Sequence, residues 1–454
     1  MKMRKPIAAA LTAWLAVAAL AACSTGGDAE GGGDETADEG QVITQAPVEG
    51  ATPLELWTFV ELHGTYYTTM ADKWNELNPD KKVQINVNVL PYDDMHNKLQ
   101  IALTSGEGAP DIADIEAGKF PQFVTGTPAL MDLTEAAAPY VDDIVKARLD
   151  LFSKDGALYG MDFHVGATVA FYNTELLEAA GIDYTTIKTW DDYSAAGAAY
   201  YDATGKYFGT VDTSASWQEG LLLAQLGGEY FTEDGKVNVD SPELTQAMEI
   251  LKGLQDANAA AVPPGGQPDT EEAFGAYNNG DFAAAVMPFW FTSRYLAYMP
   301  DSAGKIAIAP PPTVDNPVVV SVGGGGTGTA VVKDGPNAEL AAEFVAWAKL
   351  SYEGNVETWN LLGFDPLNTT VWEDEAITHN PDNKFVQYFK NNPFDALLEI
   401  KDSIGNLTSY SNSAMPSVNN LLNTETQNSI FEDGMPISDA LAQAQADLEN
   451  ELGQ

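Results

Sequence analysis

The sequence predicts an α/β protein of two lobes. Strand-like and helix-like apolar patterns alternate over the first half of the chain, which points to strands layered with helices. About 400 residues follow a polar leader, too many for one simple core and enough for two. The leader itself holds the one cysteine of the 454 residues, Cys23, in the run LAACSTGG.

A lone cysteine cannot form an intramolecular disulfide or a cysteine-based metal site. Lys2, Arg4 and Lys5 precede a largely apolar run, Ile7 to Ala22. That layout is a secretory signal, and the run is short for a bilayer span, which needs about 20 residues. Leu20-Ala21-Ala22-Cys23 resembles the lipobox of bacterial lipoproteins, which implies a signal peptide over 1–22 and a lipid anchor on Cys23. Residues 23–50 are rich in Gly, Thr and acids and nearly free of large apolar side chains, so a disordered acidic tether is expected there. The formal net charge of −44 repels phosphate backbones and excludes nucleic acid as a partner.

The domain then opens on a strand, LELWTFVEL from Leu54, and a helix over YYTTMADKWNELNPD from Tyr66. A strand from Val83 to Val89 alternates apolar with polar residues; YDDMHNKLQIALTSGEG is a helix and PDIADIE a strand. This strand–helix period indicates parallel strands. It repeats in GALYGMDFHV and ATVAFYN as strands, and in TELLEAAGI and TWDDYSAAGAAYYDATG as helices. Ser241 is an N-cap with Pro242 behind it, opening a helix expected to reach Ala261. Beyond NPVVVSVGGGGTGTAVVK the chain reads mostly helical. Gly323, Gly325 and Gly328 match G-x-G-x-x-G, but a strand-like TAVV follows where a dinucleotide site needs a helix. The glycines instead offer bare backbone that a ligand can approach.

Catalytic signatures are missing. The chain has no G-x-S-x-G, H-E-x-x-H or EF-hand loop, and its histidines, His63, His96, His164 and His379, lack metal-ligand spacing. No metal and no cofactor are expected. A glycosidase needs only two carboxylates, so a secreted polysaccharide-active glycoside hydrolase stays as the alternative. Aromatic residues are abundant: nine Trp and eighteen Tyr, many where strands end and helices begin. Ring faces beside amides, carboxylates and an Arg suit sugars, whose C–H face stacks while the hydroxyls pair. Trp190 and Trp347 read as structural; Trp217 and Trp290 read as site residues.

The ordered series PDIADIEAGKF, ALYGMDFHVGATVAFYNTELLEAAGI, TWDDY, EEAFGAYNNGDFAAAVMPFW and NAELAAEFVAWAKL resembles the family 1 extracellular solute-binding proteins. These are lipoprotein receptors of carbohydrate ABC importers. WTFVELHG with DIEAGKF is similar to the branch taking arabinose- or lactose-containing oligosaccharides. The resemblance implies a two-lobed periplasmic-binding-protein-like fold with hinge strands and an interlobe ligand cleft. One lobe would span 51–163 and 308–368, the other 164–307 and 369–454. It further implies a non-enzymatic monomer on the extracellular face of the cell membrane, binding an arabinose- or galactose-containing oligosaccharide for the importer's permease subunits. Site residues carried over are Glu61, His63 and Tyr66 in the loop after the first strand, Glu116 and Lys119 in a turn, and His164 at the first crossover. The second lobe adds Trp217, Gln218, Trp290 and Arg294, the returning loop Gly325, and GFDPLN Asp365. One departure stands out: Asp162 holds a crossover position where the family has proline.

Overall fold

The computed structural model describes residues 41–454. The signal peptide, Cys23 and the tether up to residue 40 lie outside the described residues. Among the described residues no helix is long and apolar enough to cross a membrane.

The chain begins β1 (Gln41–Thr44), β2 (Thr52–Thr58), α1 (Glu61–Leu77), β3 (Val83–Val89), α2 (Tyr92–Ser105) and β4 (Ile112–Glu116). β2 lies parallel between β3 and β4. β1 pairs antiparallel with the free edge of β3, Gln41 opposite Val89. This corrects the disordered tether expected over 23–50 for its last ten residues, where Gln41–Thr44 form a strand. The reason is local: Gln-Val-Ile-Thr is β-branched enough to pair with an open edge. Gln45 then fixes it, accepting from Ile85 N and donating to Asp72. Helix α1 starts at Glu61, ahead of the expected Tyr66. His63, Tyr66, Tyr67, Met70, Ala71 and Trp74 are buried at the three-to-four spacing that presents one helix face to the sheet.

A short helix α3 (Lys146–Asp150) precedes the second sheet, followed by β5 (Thr168–Asn173), α4 (Trp190–Thr204), α5 (Trp217–Gln225) and α6 (Pro242–Asp256). Next come β6 (Ala284–Pro288), α7 (Thr292–Tyr298) and β7 (Ile306–Ala309). β5 lies between β6 and β7 and is antiparallel to both, which corrects the expectation of parallel strands here. Both β5 and β6 are buried along nearly their whole length, and a continuous apolar run carries no information about strand direction. Helix α4 opens with a capping box, Asp192 N donating to Thr189 Oγ1 at 3.1 Å and Thr189 N to Asp192 Oδ2 at 2.9 Å. Ser241 caps α6 as expected, accepting from Leu244 N at 3.1 Å. The helix stops at Asp256 because Asn258 turns left-handed (φ 55°) and Ala260–Ala261 pair with Gly209–Thr210 as strand.

The chain returns to the first sheet as β8 (Thr327–Val331), antiparallel to β4. Helices dominate from there: α8 (Ala338–Leu350), α9 (Pro393–Ile400), α10 (Met415–Leu421) and α11 (Ile437–Leu452). Two apolar cores result. One is built on the first sheet, α1, α2 and α8, and continues through Phe163 and Val165 to Phe291 and Phe394. The other is built on the opposite face of β5 with α4, α5, α6 and α11. Trp347 packs on Trp74 in the first, and Trp190 is buried in the second with its Nε1 donating to Gln225, so both are structural.

Gly197 lets α4 approach Ala259. A Cβ there would strike Ala259 Cβ and come within 2.8 Å of its Cα, and Ala259 is held by backbone bonds to Leu254, Phe208 and Gly209. Gly197→Ala is expected to destabilise the protein by about 1–2 kcal/mol despite the better helix former, because overpacking costs about 1–3 kcal/mol. A lower urea midpoint at unchanged slope checks this.

Candidate functional site

Three stretches of chain run side by side where the two sheets meet: residues 162–167, the loop 323–327, and residues 364–366. Gly324 N donates to Gly166 O at 2.8 Å, and Ala167 bridges Gly323. Side-chain carboxylates bind the three together. Asp162 Oδ1 accepts from Thr327 N (2.9 Å) and Phe163 N (2.7 Å). Its Oδ2 accepts from Arg148 Nε at 3.0 Å, while Arg148 Nη2 also donates to Gly325 O at 2.6 Å. Asp365 accepts from Gly166 N (3.0 Å) and Ala167 N (2.8 Å) through its two oxygens. Proline at position 162 would supply rigidity but no acceptor; the aspartate supplies the link between strands.

Burial opposes the charge on Asp162 more than any one neighbour favours it, but the Arg148 guanidinium, other nearby positive charge and the Thr327 N–H together hold the carboxyl below its usual range. Asp365 lacks such a cation in contact, and burial pushes it up to about 7. His164, also buried, is pulled down to about 3 and its Nδ1 has no hydrogen-bond partner, 3.8 Å from Asp365 Oδ1. Its ring packs on Phe364. His164 and Asp365 are thus interior parts of the crossing region, not exposed contacts.

The glycine loop brings the second-lobe aromatics into place. Trp290 Nε1 donates to Gly324 O at 3.1 Å, and the Trp217 and Trp290 rings meet edge to face, 5.3 Å apart. Gly325 turns at φ 68°, a left-handed conformation that favours glycine, and lies against both rings: a Cβ there would be 3.4 Å from Trp290 Nε1 and 3.8 Å from the Trp217 ring. Trp217 is half-buried at the start of α5 and donates its Nε1 to Gln267 Oε1 at 3.0 Å. Arg294 lies 5.2 Å from the Trp290 ring and is paired with Asp269. A small recess opens beside this group, lined by Glu116, Arg148, Gly325, Asn406 and Tyr410 among others. Glu116 accepts from Tyr92 Oη and Gly118 N, and burial raises its carboxyl above the usual range. Lys119 stands at the outer side, 3.4 Å from Asp93.

Trp217, Trp290, Arg294 and Gly325 therefore come together, Glu116 lines the recess that Gly325 also lines, and Lys119 is turned to Asp93 and the Tyr92 ring. Other expected residues do not join them. Since α1 starts at Glu61, there is no long loop after β2. His63 is turned inward, its Nδ1 3.0 Å from Asp114 and its ring stacked on Phe163. Tyr66 is wholly buried and donates its hydroxyl to the carbonyls of Ala348 and Gly354. Glu61 is exposed and accepts from Gln41. Gln218 is buried one residue behind Trp217 and donates to Thr210 Oγ1 at 3.3 Å. The sequence reading missed Arg148, Asn406 and Tyr410. A signal for the first existed: the chain has only three arginines, Arg4, Arg148 and Arg294, and both that follow the leader lie here. Among the described residues no group of three His, Cys, Asp or Glu is placed to hold a metal.

The model of the bacterial extracellular solute-binding proteins matches residues 61–351. The chain is a bacterial extracellular solute-binding protein. This solute-binding protein is 39% identical over 422 residues to the arabinooligosaccharide-binding protein of Halalkalibacterium halodurans, covering 92% of this chain and 93% of that one. It is 42% identical over 358 residues to the arabinooligosaccharide-binding protein of Bacillus subtilis, covering 78% and 82%. In fold it is similar to the ABC-transporter-associated binding protein of B. animalis subsp. lactis Bl-04, solved with β-1,6-galactobiose. The TM-score is 0.73 at 21% identity, over 88% of this chain and 97% of that one. The two-lobed architecture of the solute-binding protein is that of its solved neighbours.

Behind Trp217, Glu219 is buried, takes one hydrogen bond from Tyr230 Oη at 2.9 Å, and is pushed up to about 8 by burial. The folded protein then holds a proton that the unfolded chain has released above 4.5, so stability falls as pH rises toward 8. Asp365 adds the same sign only up to about 7. Glu219→Gln, which keeps an acceptor for Tyr230, is expected to flatten the decline between pH 7 and 8, where one such group contributes about 1.4 kcal/mol per pH unit. Urea midpoints at pH 6, 7 and 8 check it.

Proposed function

We propose that this protein is the lipid-anchored, extracellular receptor of an ABC importer and that its ligand is a neutral oligosaccharide containing arabinose, or alternatively galactose. The observation that carries the reading is the Trp217–Trp290 pair against the Gly325 turn, with Arg294 over Trp290 and a recess lined by Glu116 and Gly325 beside it. Stacked C–H faces with paired hydroxyls are the chemistry such a corner offers. The printed names of two relatives covering most of the chain, both arabinooligosaccharide-binding proteins, favour arabinose. Lipid attachment at Cys23, handover to permease subunits and a monomeric state belong to the same proposal.

The lobes 51–163 with 308–368 and 164–307 with 369–454 would close on the sugar. Binding drives closure only by the difference in affinity between closed and open forms. Residues 162–167, 323–327 and 364–366 would act as the hinge, and hinge closure in periplasmic binding proteins is a known form of such motion. No bond need be broken. A binding protein and not a hydrolase is the reading favoured by the family and its named relatives.

Calorimetric titration and thermal unfolding of residues 41–454 with α-1,5-arabino-oligosaccharides, galacto-oligosaccharides and monosaccharides test the reading. A ligand at a hundredfold excess over Kd stabilises the folded state by about 2.7 kcal/mol. Binding of arabinotriose with no release of shorter sugars is expected; no shift with any sugar, or turnover of one, overturns it. Trp217→Ala and Trp290→Ala are each expected to weaken binding about tenfold, with urea stability of Trp217→Ala little changed because that ring is half-exposed. Unchanged affinity in both variants would remove the corner from the site.

A further inference from the structure

The basic groups around this corner share one feature: each already faces a carboxylate. Arg294 donates from Nε to Asp269 Oδ1 at 2.8 Å and from Nη2 to Asp269 Oδ2 at 3.2 Å, and from Nη1 to Ser293 Oγ at 3.1 Å. Three of its five N–H groups are thus used, and the fork that would grip a second carboxylate is filled. Arg148 is turned the same way onto Asp162, and Lys119 stands by Asp93. Among the described residues lining the corner and recess, Glu116 has no basic partner in contact, so the charge left over is negative.

Arg294 and Asp269 lie beside the two tryptophans and remain partly open to solvent. Their side chains keep about a fifth of their surface, 22% and 21%. Asp269 follows Gln267, which holds Trp217, while Arg294 flanks Trp290. A ligand stacked on the tryptophans would meet this pair with two guanidinium N–H groups free for hydroxyls.

We propose that the Asp269–Arg294 pair is a specificity determinant that admits uncharged saccharides and rejects those carrying uronate groups. The inference rests on reading the cleft as an oligosaccharide site. A sugar hydroxyl accepts one hydrogen bond from the spare N–H groups and leaves the ion pair intact. A sugar carboxylate either displaces Asp269, leaving that carboxylate unpaired beside Trp290, or takes the spare N–H groups of a guanidinium whose charge Asp269 already neutralises.

The test is calorimetric titration of the intact domain with α-1,5-arabinotriose and with trigalacturonate at about 150 mM salt, near the ionic strength where long-range repulsion is screened beyond about 8 Å. Wild type is expected to bind arabinotriose and not trigalacturonate. Asp269→Asn frees the Arg294 fork and is expected to gain at least about tenfold in affinity for trigalacturonate, a gain that weakens as salt rises. Asp269→Glu restores the pair and the selection; Asp269→Ser is run beside Asp269→Asn in case the amide impairs folding. Equal binding of both sugars by wild type, or an unchanged affinity ratio in Asp269→Asn and Asp269→Ser while arabinotriose still binds, overturns the selection alone. Failure of wild type to bind either arabinotriose or galacto-oligosaccharides overturns the oligosaccharide reading and the selection with it.

Discussion

The Asp162 carboxylate sits where three parts of the chain must meet, and much of the molecule depends on how it is satisfied. It is fully buried, which alone would oppose its charge. Arg148 supplies the counter-charge, and Phe163 N and Thr327 N supply neutral donors. Each partner comes from a different place: a short helix, the first crossing segment and the strand that returns to the first sheet. A buried charge is tolerated only when paired and hydrogen-bonded, so the arrangement holds all three in register or loses several kcal/mol. Asp365 does the same for the third crossing segment with backbone donors only. The difference in partners explains why one carboxyl is held down and the other pushed up.

The aromatic corner is a consequence of that arrangement. Gly326 lies against Arg148 and Asp162 so closely that a Cβ would come 2.7 Å from Asp162 Oδ2. The loop can therefore pass only as glycine, and its direction then sets Gly324 O under the Trp290 indole. Trp217 is fixed from the other side by Gln267. The positions of the Trp217 and Trp290 rings are thus tied through one glycine loop to the Asp162 carboxylate. Any movement of the lobes has to carry this contact with it or break it.

The second lobe buries acidic groups with few partners. Glu219 has one bond, and both oxygens of Asp212 have none. Burial raises both carboxyls, and the charge of Glu219 adds to the effect on Asp212. In a chain of net charge −44, neutralising acids by burial is one way to keep a core under the N-terminus of α5 without importing cations, of which the chain has few.

Much was legible in the sequence because it depends on neighbours in the chain. Strand and helix periodicity, the Ser241 cap and the strand after the glycines follow from local pattern and position. The family is written in the order of its motifs. Three kinds of feature were not legible. The direction of β5 against β6 and β7 depends on pairing between distant segments, and a wholly apolar strand is silent about it. The inward turn of His63 and Tyr66 depends on α1 beginning at Glu61, which the sheet beneath it imposes. The roles of Arg148, Tyr410 and Asp162 depend on contacts across more than a hundred residues, such as Asp162 with Thr327. The sequence by itself determined most of the elements and the family, because these are local or ordered along the chain. Only the tertiary structure decided which carboxylates tie the crossing strands and which residues share one cleft, because a buried charge finds its partner in space and not in sequence.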